Sequence, residues 1–308
     1  MKKIILIIAL FLVSSLAYSE KLFIIHDYFN EFNKTWEKIK DQPQDVWKKN
    51  WLEFHLKYID LLQDMSDSKE SREVFTKQIK DNIDEIVSDL PKMMDRTNKN
   101  YSKISKTIEK NIGLLNDNVK IKKPIDLYLV FNALWFNGKE FLRKGEPSFA
   151  INLPFVDLKD EAILDLIVSH EGFHVLHLRD SGKELLNKTE GIVMREGLAV
   201  YATKILFQGK DDAVYTFLSK DDLIICKNKL ATISKTLLKD LKSSYSTVDA
   251  KYFMGGKKNN GEFPPRNGYY VGLKVMETLA QKYSLKQLMN LKYSEYTPLI
   301  RTTLEGLK

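Results

Sequence analysis

The segment Ile167-Val168-Ser169-His170-Glu171-Gly172-Phe173-His174-Val175-Leu176-His177 decides how this chain is read. Its apolar residues recur at helical spacing with no proline or turn pair between them, which predicts a helix from about Lys159 through Leu178. On a helix of about 3.6 residues per turn, positions four apart lie only about 40° apart around the axis, so the His170 and His174 imidazoles can reach one point. Glu171 lies near that point without having to bind there. This is H-E-x-x-H, whose two histidines hold a divalent ion while the glutamate handles protons. The alternative is a pair of helix histidines with no metal.

A catalytic zinc takes three protein ligands and keeps a position open for water, so a third donor is needed. A donor six residues beyond His174 would be Asp180, but that plan needs a glycine where this chain has His177, which instead continues the helix. Glu196, in Met194-Arg195-Glu196-Gly197-Leu198-Ala199-Val200-Tyr201-Ala202, sits within a second helical pattern reached through an Asp180-Ser181-Gly182 turn. It is the favoured third ligand. Glu190 is the reserve, though near the start of that helix its carboxylate suits the helix dipole. His177 shares roughly the face of His170 and reads as a supporting group or a surface residue.

Outward from this segment the period changes. Ile125–Phe131 and Ser148–Leu153 are short, apolar and bounded by Gly138, Gly145-Glu146-Pro147 and Pro154, which predicts strands of a small sheet. From about Glu31 to Asn118 the spacing of Trp36, Ile39, Trp47, Trp51, Phe54, Tyr58, Leu61, Leu62, Phe75, Ile79, Ile83, Ile86 and Leu90 predicts three or four amphipathic helices. Breaks are expected at Gln42-Pro43, Ser66-Asp67-Ser68 and Leu90-Pro91. Their aromatics and His55 read as core. Further helices are expected over about Thr189–Phe207, Ala213–Leu218, Leu223–Leu241, Tyr269–Lys282 and Ser284–Leu291, with a loop from Met254 to Gly268. The fold class is therefore α+β: mainly helical, with a small sheet beside the histidine helix and a helical N-terminal region.

The chain has 308 residues, 44% apolar and 29% charged, enough for a sizeable core and too apolar for a disordered polyampholyte. Eight prolines and fourteen glycines exclude a collagen-like or linker-dominated build. A net charge of +7 with both signs interspersed, and no arginine-rich block with interleaved aromatics, argues against nucleic-acid binding. Lys2-Lys3, the apolar run Ile4–Leu16 and the small residues around Ala17-Tyr18-Ser19 read as a signal peptide cleaved after Ala17 or Ser19, so an exported protein, periplasmic or extracellular, is expected. The run is shorter than the roughly 20 apolar residues a span needs, and no second one approaches that length. Cys226 sits in an apolar stretch and reads as core, and a single cysteine makes no internal disulfide. The expected divisions are 1–19 signal peptide, 20–123 helical region and 124–308 metal-bearing domain. His26 receives no role.

The helix with His170-Glu171-x-x-His174, the second helix with Glu196-Gly-Leu-Ala and the preceding strand resemble the gluzincin arrangement of zinc metallopeptidases. Within it, the chain resembles the family described as predicted zinc-dependent proteases, whose closing G-Y-x-x-G helix is matched by Gly268-Tyr269-Tyr270-Val271-Gly272. The likeness runs from about Ile125 to Leu291. It implies one zinc ion on His170, His174 and Glu196, with Glu171 as general base and a peptide or protein substrate. It also implies an oxyanion donor from downstream, Tyr269 or Tyr270, and a substrate-pairing edge strand around Ser148–Leu153, while Arg266 is a candidate contact for a substrate carboxylate. Two other expectations stand beside a peptidase: a catalytically quiet zinc-binding or helical interaction protein, and a zinc hydrolase of a non-peptide amide. Glu171 separates them, because a purely structural zinc site needs no general base.

Overall fold

The computed structural model describes residues 22–66, 68–156, 161–182, 184–254 and 263–308. The expected signal peptide and much of the Gly/Pro loop after Met254 lie outside the described residues. The chain opens with β1 (Phe23–Asp27), followed by α1 (Tyr28–Ile39), α2 (Gln44–Lys57), α3 (Ile59–Ser66), α4 (Arg72–Ile86) and α5 (Leu90–Val119). Then come β2 (Ile125–Val130), β3 (Gly138–Arg143), β4 (Glu146–Asn152), α6 (Glu161–Ser181), α7 (Glu184–Asn187) and α8 (Thr189–Leu206). The remainder is α9 (Asp212–Tyr215), α10 (Lys220–Asn228), α11 (Leu230–Asp240), α12 (Tyr245–Tyr252), α13 (Asn267–Leu279), α14 (Leu285–Asn290) and α15 (Tyr293–Gly306). The α+β expectation holds: among the described residues helices dominate and the sheet has four strands.

The sheet order is β1-β2-β4-β3. β1 and β4 both run parallel to β2, whereas β3 forms an antiparallel hairpin with β4. Positive φ at both Lys144 (51°) and Gly145 (85°) gives the two-residue turn the twist that a tight hairpin requires. On one face, Phe149 meets Gly172 of α6. On the other, Tyr128 touches Tyr28 of α1 and Phe141, and α3 packs on β3. Helices thus cover both faces.

Several sequence expectations need correction. The strand proposed as the edge, Ser148–Leu153, is interior, flanked by β2 and β3, and the edge beside α6 is β3. β1 and β3 were not anticipated, since Gly138-Lys139-Glu140-Phe141-Leu142-Arg143 carries too few apolar residues to read as a strand. Five helices, not three or four, occupy the N-terminal stretch, because the run Phe54, Tyr58, Leu61, Leu62 keeps its period across the α2–α3 break. The Leu223–Leu241 helix is two helices, and Ala213–Leu218 shortens to α9. Three helices went unread: the single-turn α7, α12, and α15, whose internal Pro298 disguises it.

Candidate metal centre

The site forms where α6, α8 and α13 pack together beside β3. Helix α8 is buried on nearly every side, including Glu190, Gly191, Glu196 and Gly197, so it runs through the core and is not amphipathic. Its closest neighbour is α13, and the contact is glycine on glycine. A Cβ on Gly197 would stand 2.7 Å from the Gly272 carbonyl carbon and oxygen, and one on Gly272 2.8 Å from the Gly197 Cα. The glycines of E-G-L-A and G-Y-x-x-G therefore meet back to back, which brings Tyr269 beside the histidine helix. Gly138 likewise admits β3 against α6, since a Cβ there would lie 3.0 Å from the Glu171 Cγ.

Three donors converge. The Nε2 atoms of His170 and His174 stand 3.0 Å apart, and Glu196 Oε2 lies 3.3 and 3.2 Å from them respectively. All three side chains are buried, at 3%, 1% and 5% exposure, so no solvent disperses the donor set. A tetrahedral zinc with bonds of about 2.0–2.1 Å has ligand–ligand edges of about 3.3–3.4 Å, so this nitrogen–nitrogen–oxygen triangle fits one face of such a site. Asp180 and Glu190 are engaged elsewhere. Asp180 pairs with Lys122 at 3.4 Å, and Glu190, in the first turn of α8 where the helix dipole favours it, also accepts from Arg301 of α15 at 2.8 Å.

The charges around the donors are ordered. Burial works to raise the Glu196 carboxyl, but the His174 and Arg195 charges overcome it and hold it well below the usual carboxylate range. Burial and the neighbouring Glu140 carboxylate push Glu171 up to about 8. Glu171 Oε2 accepts the Glu140 backbone N–H at 2.9 Å, placing the carboxyl at the outer edge of β3. Burial, then the charge on His174, lowers His170. His174 is raised: burial opposes this, but Glu196 and Glu140 prevail.

The two tyrosines separate. The Tyr269 ring centroid is 6.0 Å from His170, and burial followed by the Glu196 charge raises its hydroxyl well above the ordinary phenol value. Tyr270 points elsewhere, buried under the Lys274 ammonium and facing Asp212 and Glu277. Phe217 closes this side, its ring 5.6 Å from His170 and 6.2 Å from Tyr269, on a backbone with φ 54° that a bulky residue rarely adopts. His177 is no surface residue: it is fully buried, and burial with the His174 charge lowers it to about 3. Arg266 caps α13 in a left-handed conformation, φ 60°, close enough to Tyr269 to favour its ionised form. His26 lies on β1, at the far edge of the sheet, bonded to Asp126 at 2.7 Å.

Two participants escaped the sequence reading. Arg195 donates from Nη2 (2.7 Å) and Nε (3.0 Å) to Glu196 Oε1, and its Nη1 meets Glu140 Oε1 at 2.7 Å. Glu140, Glu171 and His174 form a second close group of donors. Adjacency to Glu196 was the one available signal for Arg195. Glu140 had none unless the Lys144-Gly145 turn was first recognised as a hairpin. From α12, Tyr245 and Asp249 stand near enough to feel Arg195 and Glu196; burial is the main cause that raises each.

Residues 101–297 match the family DUF2268, described as "Predicted Zn-dependent protease". This chain belongs to that family. The family match begins within α5 and ends within α15, so it contains β2, the β3–β4 hairpin and every residue of the converging donor set. The expected likeness is thus borne out, over a longer span than Ile125 to Leu291. No curated protein and no solved structure matches the chain.

Proposed function

We propose that this chain is an exported zinc-dependent peptidase. The observation that carries the reading is the convergence of His170 Nε2, His174 Nε2 and Glu196 Oε2 within 3.0–3.3 Å of one another, with the Glu171 carboxyl beside them. When bound there, zinc supplies Lewis acidity, acidifying a water and polarising a carbonyl. Glu171 is the general base: it takes the proton of the attacking water and passes it to the departing amine nitrogen. Tyr269, kept protonated by its surroundings, donates a hydrogen bond to the oxyanion of the tetrahedral intermediate, while Tyr270 holds α13 in the core. The β3 edge, which runs past Glu171, offers an extended peptide a backbone to pair with. Export rests on the leader-like first nineteen residues, which end just ahead of β1.

The test is a pair of variants assayed for metal content and for cleavage of a broad peptide library. Glu171→Gln is expected to retain stoichiometric zinc and lose hydrolysis, whereas His174→Ala loses both. Full activity in the glutamine variant, or zinc retained in the alanine variant, overturns the reading. N-terminal sequencing of protein recovered outside the cytoplasm tests export.

A further inference from the structure

We infer that Arg195 and Glu140 form a positioning clamp that keeps Glu196 a one-oxygen ligand; this rests on the zinc reading above. A carboxylate beside a divalent cation can bind through one oxygen or both. Here the two oxygens of Glu196 face different partners: Oε2 faces the two imidazoles, while Oε1 takes two hydrogen bonds from Arg195, at 2.7 Å from Nη2 and 3.0 Å from Nε. A planar guanidinium gripping one oxygen with two donors fixes the carboxylate's rotation as well as its place. That geometry withholds Oε1 from the metal and leaves a coordination position for water, the condition that separates a catalytic zinc from a closed one.

Arg195 is itself held. Its third donor, Nη1, meets Glu140 Oε1 at 2.7 Å, and both side chains are largely buried, at 11% and 15% exposure. Each removes a charge that the other would leave unpaired. Glu140 also donates its backbone N–H to Glu171 Oε2. One residue of the edge strand therefore touches the general base through its main chain and the third ligand through Arg195. The strand offered to substrate and the two glutamates of the site are mechanically joined.

The discriminating substitution is Arg195→Lys, which keeps the positive charge and loses the forked grip. A simple field effect predicts unchanged metal binding; the clamp predicts that Glu196 swings free. The probes are zinc, titrated against a competing chelator, and cobalt(II), whose visible bands weaken as coordination rises from four to five. Arg195→Lys is expected to bind zinc about 10–100-fold more weakly than the parent chain and to show dimmer cobalt bands, with a cooperative thermal melt retained. Zinc affinity within about threefold of the parent, together with an unchanged cobalt spectrum, overturns the clamp and leaves the zinc reading intact. If Arg195→Lys melts without cooperativity, Glu140→Gln decides by its cobalt spectrum: dimmed bands support the clamp and unaltered bands refute it. A parent chain that binds neither metal defeats the zinc reading and the clamp with it.

Discussion

Replacing Gly197 by alanine tests the helix crossing on which the whole site depends. The new methyl carbon would sit 2.7 Å from the Gly272 carbonyl carbon and oxygen and 2.8 Å from its Cα. Carbon atoms in ordinary contact stand about 3.5 Å apart, so α13 must retreat by roughly 0.8 Å. No rotamer change relieves the clash, because the atoms met are backbone. Overpacking of this kind costs about 1–3 kcal/mol, whereas alanine in a helix interior gains only about 1 kcal/mol over glycine. The expected net loss is up to about 2 kcal/mol, or up to roughly 3 °C in Tm for a chain of this size. Gly113 is the built-in control: it lies on α5 with nothing within 4 Å of where its Cβ would be, so Gly113→Ala should gain about 0.5–1 kcal/mol. Thermal and urea unfolding of the two variants should therefore move in opposite directions. A Gly197→Ala protein stabilised as much as Gly113→Ala would show that contact does not set the α8–α13 spacing.

The buried His55 should make the fold acid-sensitive. It donates from Nδ1 to the Trp51 carbonyl and accepts the Ala133 N–H at Nε2, a pattern open only to the neutral ring, and burial lowers it to about 4. Below pH 6.5 the unfolded chain takes up a proton that the folded one refuses, so stability falls as pH drops from 6.5 to 4, by roughly 3 kcal/mol in all. The stability gap between the parent and His55→Leu should shrink by that amount across the window, and a constant gap would contradict the assignment. For the tyrosines, Tyr269→Phe is expected to lower kcat about 100- to 1000-fold at unchanged zinc content, with Tyr270→Phe near the parent; the reverse order would move the oxyanion donor.

Legibility followed the range of the interactions. The Leu90–Val119 helix illustrates the local part: Pro91 announces its start, and the spacing of Ile104, Ile108, Ile112 and Leu115 gives its buried stripe. The β3 strand illustrates the opposite. Its alternation is masked by Lys139, Glu140 and Arg143, charges tolerated because Glu140 pairs with Arg195 and Arg143 with Asp64 of α3. Those partners lie far away along the chain, and no window of sequence contains both members of either pair.

By itself the sequence determined that His170 and His174 emerge on one side of a helix with Glu171 beside them, since the pitch of an α-helix fixes the angle between residues four apart. It favoured Glu196 as the third donor over Asp180 and Glu190, and left the phenol open between Tyr269 and Tyr270. Those choices belong to the crossing of α6, α8 and α13. That crossing is set by how closely two glycine backbones approach, a distance between segments that periodicity along one segment does not encode. The crossing turns Glu196 Oε2 toward the imidazoles and Tyr269 toward His170, and the hairpin carries Glu140 to Arg195.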